Sequence, residues 1–168
     1  MKDNLQELFI VVDDQDHILG YRTRFDCHHD RSLIHRTAGV VVFDSTGRLL
    51  LQKRSVVKDL NPGIWGISTA GHVMKGETYE EAARREMSEE IGITVPITML
   101  KKFLCASKEE TEMATVFRAD YNGPFQIAEN EVAEVRFFTK QELLESMKTG
   151  AVKVTESSEY TLKQIGYL

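Results

Sequence analysis

The sequence predicts an α/β fold, an α/β/α sandwich on a mixed central sheet with an N-terminal β-hairpin extension. Three observations predict it. Short β-branched and apolar runs bounded by turn residues recur on both sides of one strongly capped helical segment, residues 78–92. The density of Val40-Val41-Val42 marks a strand buried on both faces. Two further helical stretches follow the later strands.

The elements follow in chain order. Residues 8–12 read as a strand, Asp13-Asp14-Gln15-Asp16 as a turn and 18–22 as the returning strand. Residues 37–43 and 49–53, joined by Asp44-Ser45-Thr46-Gly47, give a second and stronger hairpin signal, and these two strands are expected at the centre of the sheet. After Asn61-Pro62-Gly63, the glycine-interrupted segment 64–74 reads as strand and tight turn. Thr78 with Glu81 makes a capping box, Gly92 supplies the stop, and Tyr79, Ala82, Ala83, Met87 and Ile91 form the apolar stripe between them. Strands are expected at 97–105, 111–119 and 135–138, a helix at 140–147 and a third helix from Glu156 onward.

At roughly 150 residues per domain, a chain of 168 residues is expected to form one domain, 1–168, with 1–36 as the extension. No repeat, low-complexity tract or Pro/Gly/Ser-rich linker divides it. With 26 acidic and 21 basic residues the net charge is −5, which argues against a nucleic-acid polymer or an anionic membrane surface as partner. The start of the chain turns acidic where a signal peptide needs an apolar run, and no stretch approaches the roughly 20 apolar residues of a membrane span, so a soluble cytoplasmic protein is expected. The sequence is compatible with a homodimer. Cys27 and Cys105 are too few for a disulfide framework and lack Cys-x-x-Cys spacing, so both are expected to be reduced thiols.

The chemistry concentrates between Gly71 and Ile93. At about 100° per residue, Glu89 lies about 60° to one side of Glu86 and Glu90 about 40° to the other, so three carboxylates project from one helix face. Like charges this close raise one another's pKa or recruit a cation, and an all-oxygen set selects a hard metal such as Mg²⁺ or Mn²⁺. A solvated acidic face paired with Arg84 and Arg85 is the alternative for a bare Glu-x-x-Glu-Glu.

The whole segment, however, resembles the Nudix box, Gly-x5-Glu-x7-Arg-Glu-U-x-Glu-Glu-x-Gly-U with U aliphatic. Gly71, Glu77, Arg85, Glu86, Glu89, Glu90 and Gly92 fill its fixed positions, and Met87 and Ile93 its apolar ones. The resemblance implies a Nudix fold and a MutT-like hydrolase in which Glu86, Glu89 and Glu90 bind divalent metal, Gly71 offers its carbonyl and Arg85 holds Glu77 in place. It also implies hydrolysis of a nucleoside diphosphate linked to another moiety, or of a related diphosphate. That chemistry needs cations to neutralise the phosphate oxygens and a base to take a proton from water. The base is a box glutamate or one on a distant loop, with Glu129, Glu131 and Glu134 the candidates by position and Glu131 the preferred one.

A second resemblance, over Gly20 to about Phe138, is to type 1 isopentenyl-diphosphate isomerases of the same superfamily. His28, His35 and His72 fall where those enzymes have metal-ligand histidines, and Glu110 and Glu112 where they have ligand glutamates. Arg24, Arg54 and Lys58 match their diphosphate-gripping residues, and Asn61-Pro62-Gly63-Ile64-Trp65 their Pro-Gly-x-Trp turn. Two departures separate the chain from them. Ala70 stands where the isomerase has its catalytic cysteine, and the box is complete where theirs is degraded. A Nudix hydrolase with an isomerase-like N-terminal half fits both, with an isomerase-like enzyme and a non-catalytic nucleotide sensor as the alternatives.

The histidine set is read either as a second site, for Zn²⁺ or Mn²⁺, or as hydrogen-bonded structural histidines. Cys27 is set aside as a ligand because adjacent residues of an extended chain point to opposite faces, so Cys27 and His28 would not share a metal there. Trp65, Phe117 and Tyr121 can stack a nucleobase but are expected in the core.

Overall fold

The computed structural model describes residues 4–58 and 60–168; the first three residues of the 1–36 extension lie outside them. β1 (Leu8–Val12) and β2 (Ile18–Thr23) form the N-terminal antiparallel hairpin. The Asp13 carboxylate fixes its turn by accepting from the backbone N–H groups of Gln15 and His17 at 2.9 and 2.8 Å.

The chain then enters α1 (Arg24–His29). This corrects the expectation of an extended chain around Cys27 and His28. Thr23 and Asp26 form a reciprocal capping box that starts a single short turn of helix, too brief to show apolar periodicity. Within it Cys27 is buried against Phe9 and Val11, while His28 turns toward His72 at 3.3 Å. The conclusion that the two do not share a metal stands on this different ground.

β3 (Ile34–Phe43) runs through the centre, with β6 (Thr69–His72) antiparallel on one side and β8 (Thr111–Asp120) parallel on the other. β7 (Thr98–Ala106) extends the sheet beyond β8. β4 (Leu49–Arg54) lies between β5 (Trp65–Ile67) and β9 (Val132–Phe138). The expected β3–β4 hairpin is therefore only partly made. Asp44 and Gly47 close the turn as the sequence predicts, but the two strands pair at Phe43↔Leu49 and then part. Turn chemistry fixes the local reversal; strands distant in sequence claim both edges of each strand beyond it. The sheet consequently splits between β6, carried by β3, and β5, carried by β4.

Alternation along β3 sends its side chains into two cores. Ala38, Val40 and Val42 pack with Ala82, Ala83, Met87 and Ile91 of α2 (Tyr79–Ile91). Val41 and Phe43 pack on the opposite face with Leu143 of α3 (Lys140–Thr149) and Leu162 of α4 (Glu156–Gln164). The result is the expected helix–sheet–helix layering, with α4 formed as the tail sequence suggests. The same alternation decides the site: His35, Thr37 and Gly39 share the α4-side face of β3, and by register so do Glu112, Ala114 and Val116 of β8.

Candidate active site

The box carboxylates are placed by α2 and by the strand that precedes it. Thr78 caps the helix, its hydroxyl accepting from the Glu81 backbone, and Gly92 ends it with φ 69°, a left-handed conformation that favours glycine. Arg85 organises the entry. Its guanidinium grips Glu77 through two hydrogen bonds of 2.7 and 3.0 Å and donates to the His72 carbonyl at 3.0 Å, while Glu77 accepts from the Met74 backbone at 3.0 Å. Burial opposes ionisation of Glu77, but Arg85 outweighs it and holds the carboxyl below its usual range. Arg85 also reaches Glu86 at 2.6 Å and the exposed Glu89 at 3.2 Å.

Glu86 and Glu90 are the buried pair. Glu90 is 7% exposed and accepts from the Gln52 side chain at 2.9 Å and the Ala70 backbone at 3.3 Å. Burial, then the charge of Glu86, pushes its carboxyl up to about 8; burial likewise raises Glu86 against the pull of Arg85. Two mutually repelling, desolvated carboxylates form a site that a divalent cation relieves, so the donor set fits Mg²⁺ or Mn²⁺. Gly71 makes the fit possible, because a Cβ there would land on the Glu86 carboxyl. Gly71→Ala is therefore expected to displace Glu86 and lower turnover on the order of a hundredfold, as a misplacement of about an ångström does; steady-state kinetics alongside a melting curve tests it.

Among the candidate bases, Glu131 is the one whose charge acts on both Glu86 and Glu90. It is bound to Lys58 at 2.6 Å. Glu129 and Glu134 are exposed. Arg54 donates to the Leu60 carbonyl at 3.0 Å, and its charge favours the ionised form of Glu90. Arg24, largely buried, lies 3.6 Å from Glu7 and 5.9 Å from the centre of the Phe9 ring.

The second cluster is brought together from four elements. His28, His35, His72 and Glu110 offer ligand atoms that all lie within 4.8 Å of one another. The Nε2 atoms of His35, His28 and His72 stand 3.1, 3.4 and 3.4 Å from a single Glu110 carboxylate oxygen. Phe9 stacks on His72 at 4.0 Å with an interplanar angle of 6°. Burial, outweighing Glu110, drops His72 to about 3, so its imidazole is neutral at pH 7. Burial opposes ionisation of Glu110, but the bonds from His35 and His72 hold it well below the usual range. Three ring nitrogens and a carboxylate oxygen converging on one point are a donor set that fits a transition-metal ion. Glu112 is not in this group. Burial and Glu110 push its carboxyl up to about 8, and it bonds Thr37.

Sequence reasoning passed over Gln52 and Phe9. Gln52 is the first polar residue after Leu49-Leu50-Leu51, and strand alternation, which puts it on the face of Leu50, was the available signal. Two of the stacking candidates lie in the core, Trp65, 7% exposed and edge-on against Phe138, and Phe117, 5% exposed; Tyr121 is only half-buried against it and donates to the Pro124 carbonyl.

The NUDIX domain family matches residues 33–157. The chain belongs to the Nudix family. This Nudix chain is 32% identical over 144 residues to the Uncharacterized Nudix hydrolase PA4841 of Pseudomonas aeruginosa, covering 85% of each. It is 36% identical over 100 residues to Isopentenyl-diphosphate Delta-isomerase 2 of Photorhabdus laumondii, covering 60% of this chain and 56% of that relative. The crystal structure of DR0079 from Deinococcus radiodurans shares the fold with a TM-score of 0.84, at 23% identity over 95% of this chain and 99% of that one. Membership makes the Nudix chain an enzyme of the pyrophosphohydrolase class. No helix among the described residues is long and apolar enough to cross a membrane.

Proposed function

We propose that this protein is a metal-dependent hydrolase that cleaves the diphosphate linkage of a nucleoside diphosphate derivative or a related organic diphosphate. The observation that carries the reading is the desolvated Glu86–Glu90 pair, held by Arg85, Gln52 and the Ala70 N–H and acted on by the charge of Glu131. Glu86 and Glu90, with Glu89 and the Gly71 carbonyl, would hold Mg²⁺ or Mn²⁺, which when bound neutralises phosphate oxygens and makes water more acidic. Arg54, Lys58 and Arg24 bind and orient the diphosphate, Arg as a bidentate fork and Lys as a point charge. Glu131 accepts the proton of the attacking water, and Lys58 positions Glu131 for it. The His28/His35/His72/Glu110 group would hold a second ion, Zn²⁺ or Mn²⁺, that ties the N-terminal hairpin to the box loop. A screen of nucleotide sugars, dinucleotides, nucleoside diphosphates and small organic diphosphates with Mg²⁺ and Mn²⁺ tests the reading. Hydrolysis products above a Glu90→Gln control are expected, and their absence across the panel would overturn it.

The isomerase-like reading is favoured by the Photorhabdus relative and the histidine cluster. Against it, the side chain at position 70 is a methyl group, which delivers no proton. Uptake of deuterium from solvent into isopentenyl diphosphate would establish it over hydrolysis.

The raised Glu90 carboxyl sets a pH dependence. Protons compete with metal for a group titrating at about 8, so metal affinity is expected to strengthen as pH rises from 6 through that value. Activity at subsaturating Mg²⁺ rises on the alkaline side accordingly. Calorimetric titration of Mn²⁺ at pH 6 and 8.5 checks this, and equal affinities would contradict it.

A further inference from the structure

Gln52 carries an acceptor that the fold leaves unused. Strand alternation along β4 sends Leu49 and Leu51 into one core and Leu50 into the core under α2, so Gln52 takes the next position on the α2 side. It is 3% exposed. Its Nε2 donates to Glu90 at 2.9 Å, and its Oε1 is buried without a hydrogen-bond partner among the described residues. The orientation of the amide follows from chemistry. A carboxylate only accepts, so reversing the amide would bring two oxygens face to face. A buried acceptor without a donor is costly, and an apolar side chain of similar length would avoid that cost.

The unused oxygen sits beside the chemistry. Gln52 lines the cleft next to Ala70 and Gly71, the two residues against which Glu90 and Glu86 rest. The Gln52 amide and the Ala70 N–H both bond the same Glu90 oxygen, Oε2, at 2.9 and 3.3 Å. That arrangement fixes the carboxylate through one oxygen and spends the Ala70 donor, so neither of these neighbours answers Oε1 of Gln52.

Hydrogen-bond polarity narrows what can. An ionised diphosphate presents acceptor oxygens and gives Oε1 nothing. Water in the shell of a divalent cation is the reverse case: its oxygen is turned to the ion and only its hydrogens face outward. Mg²⁺ in particular keeps several of its waters when carboxylates bind it. Carboxylate oxygens that hold the ion are spent on it, so such a water needs another acceptor close by, and a neutral amide oxygen supplies one without adding charge to the Glu86–Glu90 pair.

We propose that Gln52 is a positioning residue of the α2 carboxylate site, its Nε2 fixing Glu90 and its Oε1 accepting a hydrogen bond from water in the shell of a divalent cation held there. The proposal rests on the hydrolase reading only for the presence of the ion, and it is tested without substrate. The probe is Mn²⁺ alone, titrated by calorimetry, with Glu90→Gln as the reference that separates this site from the histidine cluster. Gln52→Met keeps length and removes both polar atoms. It is expected to weaken Mn²⁺ binding about tenfold or more, the usual effect of removing a group that orients a metal ligand. It is also expected to speed exchange of the Mn²⁺-held water about fivefold, read by ¹⁷O relaxation, as loss of one hydrogen bond does. The metal-free melting temperature should move by less than about 2 °C, because a hydrogen bond and an unpaired acceptor are lost together. Gln52→Asn, which keeps the amide in the core but withdraws it by one methylene, is expected to weaken Mn²⁺ binding alike. A lower metal-free melting temperature with unchanged Mn²⁺ affinity would make Gln52 structural and overturn the proposal. Weakened binding with unchanged water exchange would confine Gln52 to Glu90 and overturn the water contact. Mn²⁺ binding that depends on Gln52 as expected, in a protein that hydrolyses no diphosphate, overturns the hydrolase reading and leaves the role of Gln52 standing.

Discussion

Glu90→Gln is expected to leave the protein folded and to cut diphosphate hydrolysis by about a hundredfold or more, the scale on which removing a group that stabilises transition-state charge acts. Glu86→Gln is expected to behave alike. Both changes keep side-chain volume, and in the metal-free protein both replace a carboxylate that burial already disfavours. Stability should therefore separate from activity, in a direction that can be worked out. The folded-state pKa of Glu90 is raised above its model value of 4.5 to about 8. Its contribution to stability is thus complete below the unfolded pKa and is lost as pH rises through about 8. In metal-free wild type the melting temperature should fall across pH 5 to 9 relative to Glu90→Gln, which lacks that titration. A variant that keeps half the parent's rate would remove the helix glutamates from the metal site.

The second large effect concerns the histidines. If His28, His35, His72 and Glu110 close on Zn²⁺ or Mn²⁺, they join α1, β3, β6 and the loop before β8 through one ion. An ion that binds only the folded state stabilises it by RT ln(1 + [L]/Kd), about 2.7 kcal/mol at a hundredfold excess over Kd. That is a rise of several degrees in melting temperature for a domain of this size, roughly 2–4 °C per kcal/mol. His28→Ala should abolish the rise while Glu90→Gln preserves it. An identical shift in wild type and His28→Ala, with no transition metal found by elemental analysis, would leave the cluster as structural histidines around Glu110.

The contrast between the two clusters shows what a sequence makes legible. Glu86, Glu89 and Glu90 lie on one helix whose cap, stripe and stop are all local, so their convergence follows from helical geometry. The histidine group needs contacts across 44 and 75 positions, His28 to His72 and His35 to Glu110. Nothing local specifies such contacts, and only the resemblance to isomerases gathered those residues in advance. Glu112 shows the limit of that resemblance: Glu110 lies in the loop before β8 and joins the cluster, whereas Glu112, two positions on and inside β8, bonds Thr37 and stays outside it. The β3–β4 pair errs for the same physical reason. Asp44 and Gly47 encode a turn, whereas β6 and β8, distant in sequence, decide that β3 and β4 diverge. That divergence opens the split beside Glu90, the feature of the fold least readable from the chain. Gln52 belongs to the same class, a polar residue whose meaning appears only once α2 lies across β4.

Hydrolysis in ¹⁸O-labelled water tests the central claim most directly. With Mg²⁺ and a diphosphate substrate found in the screen, the account predicts one solvent oxygen incorporated into a phosphate product per turnover, lost in Glu90→Gln. Turnover without solvent oxygen in either product, or incorporation that Glu90→Gln leaves unchanged, would contradict a hydrolase built on the α2 carboxylates.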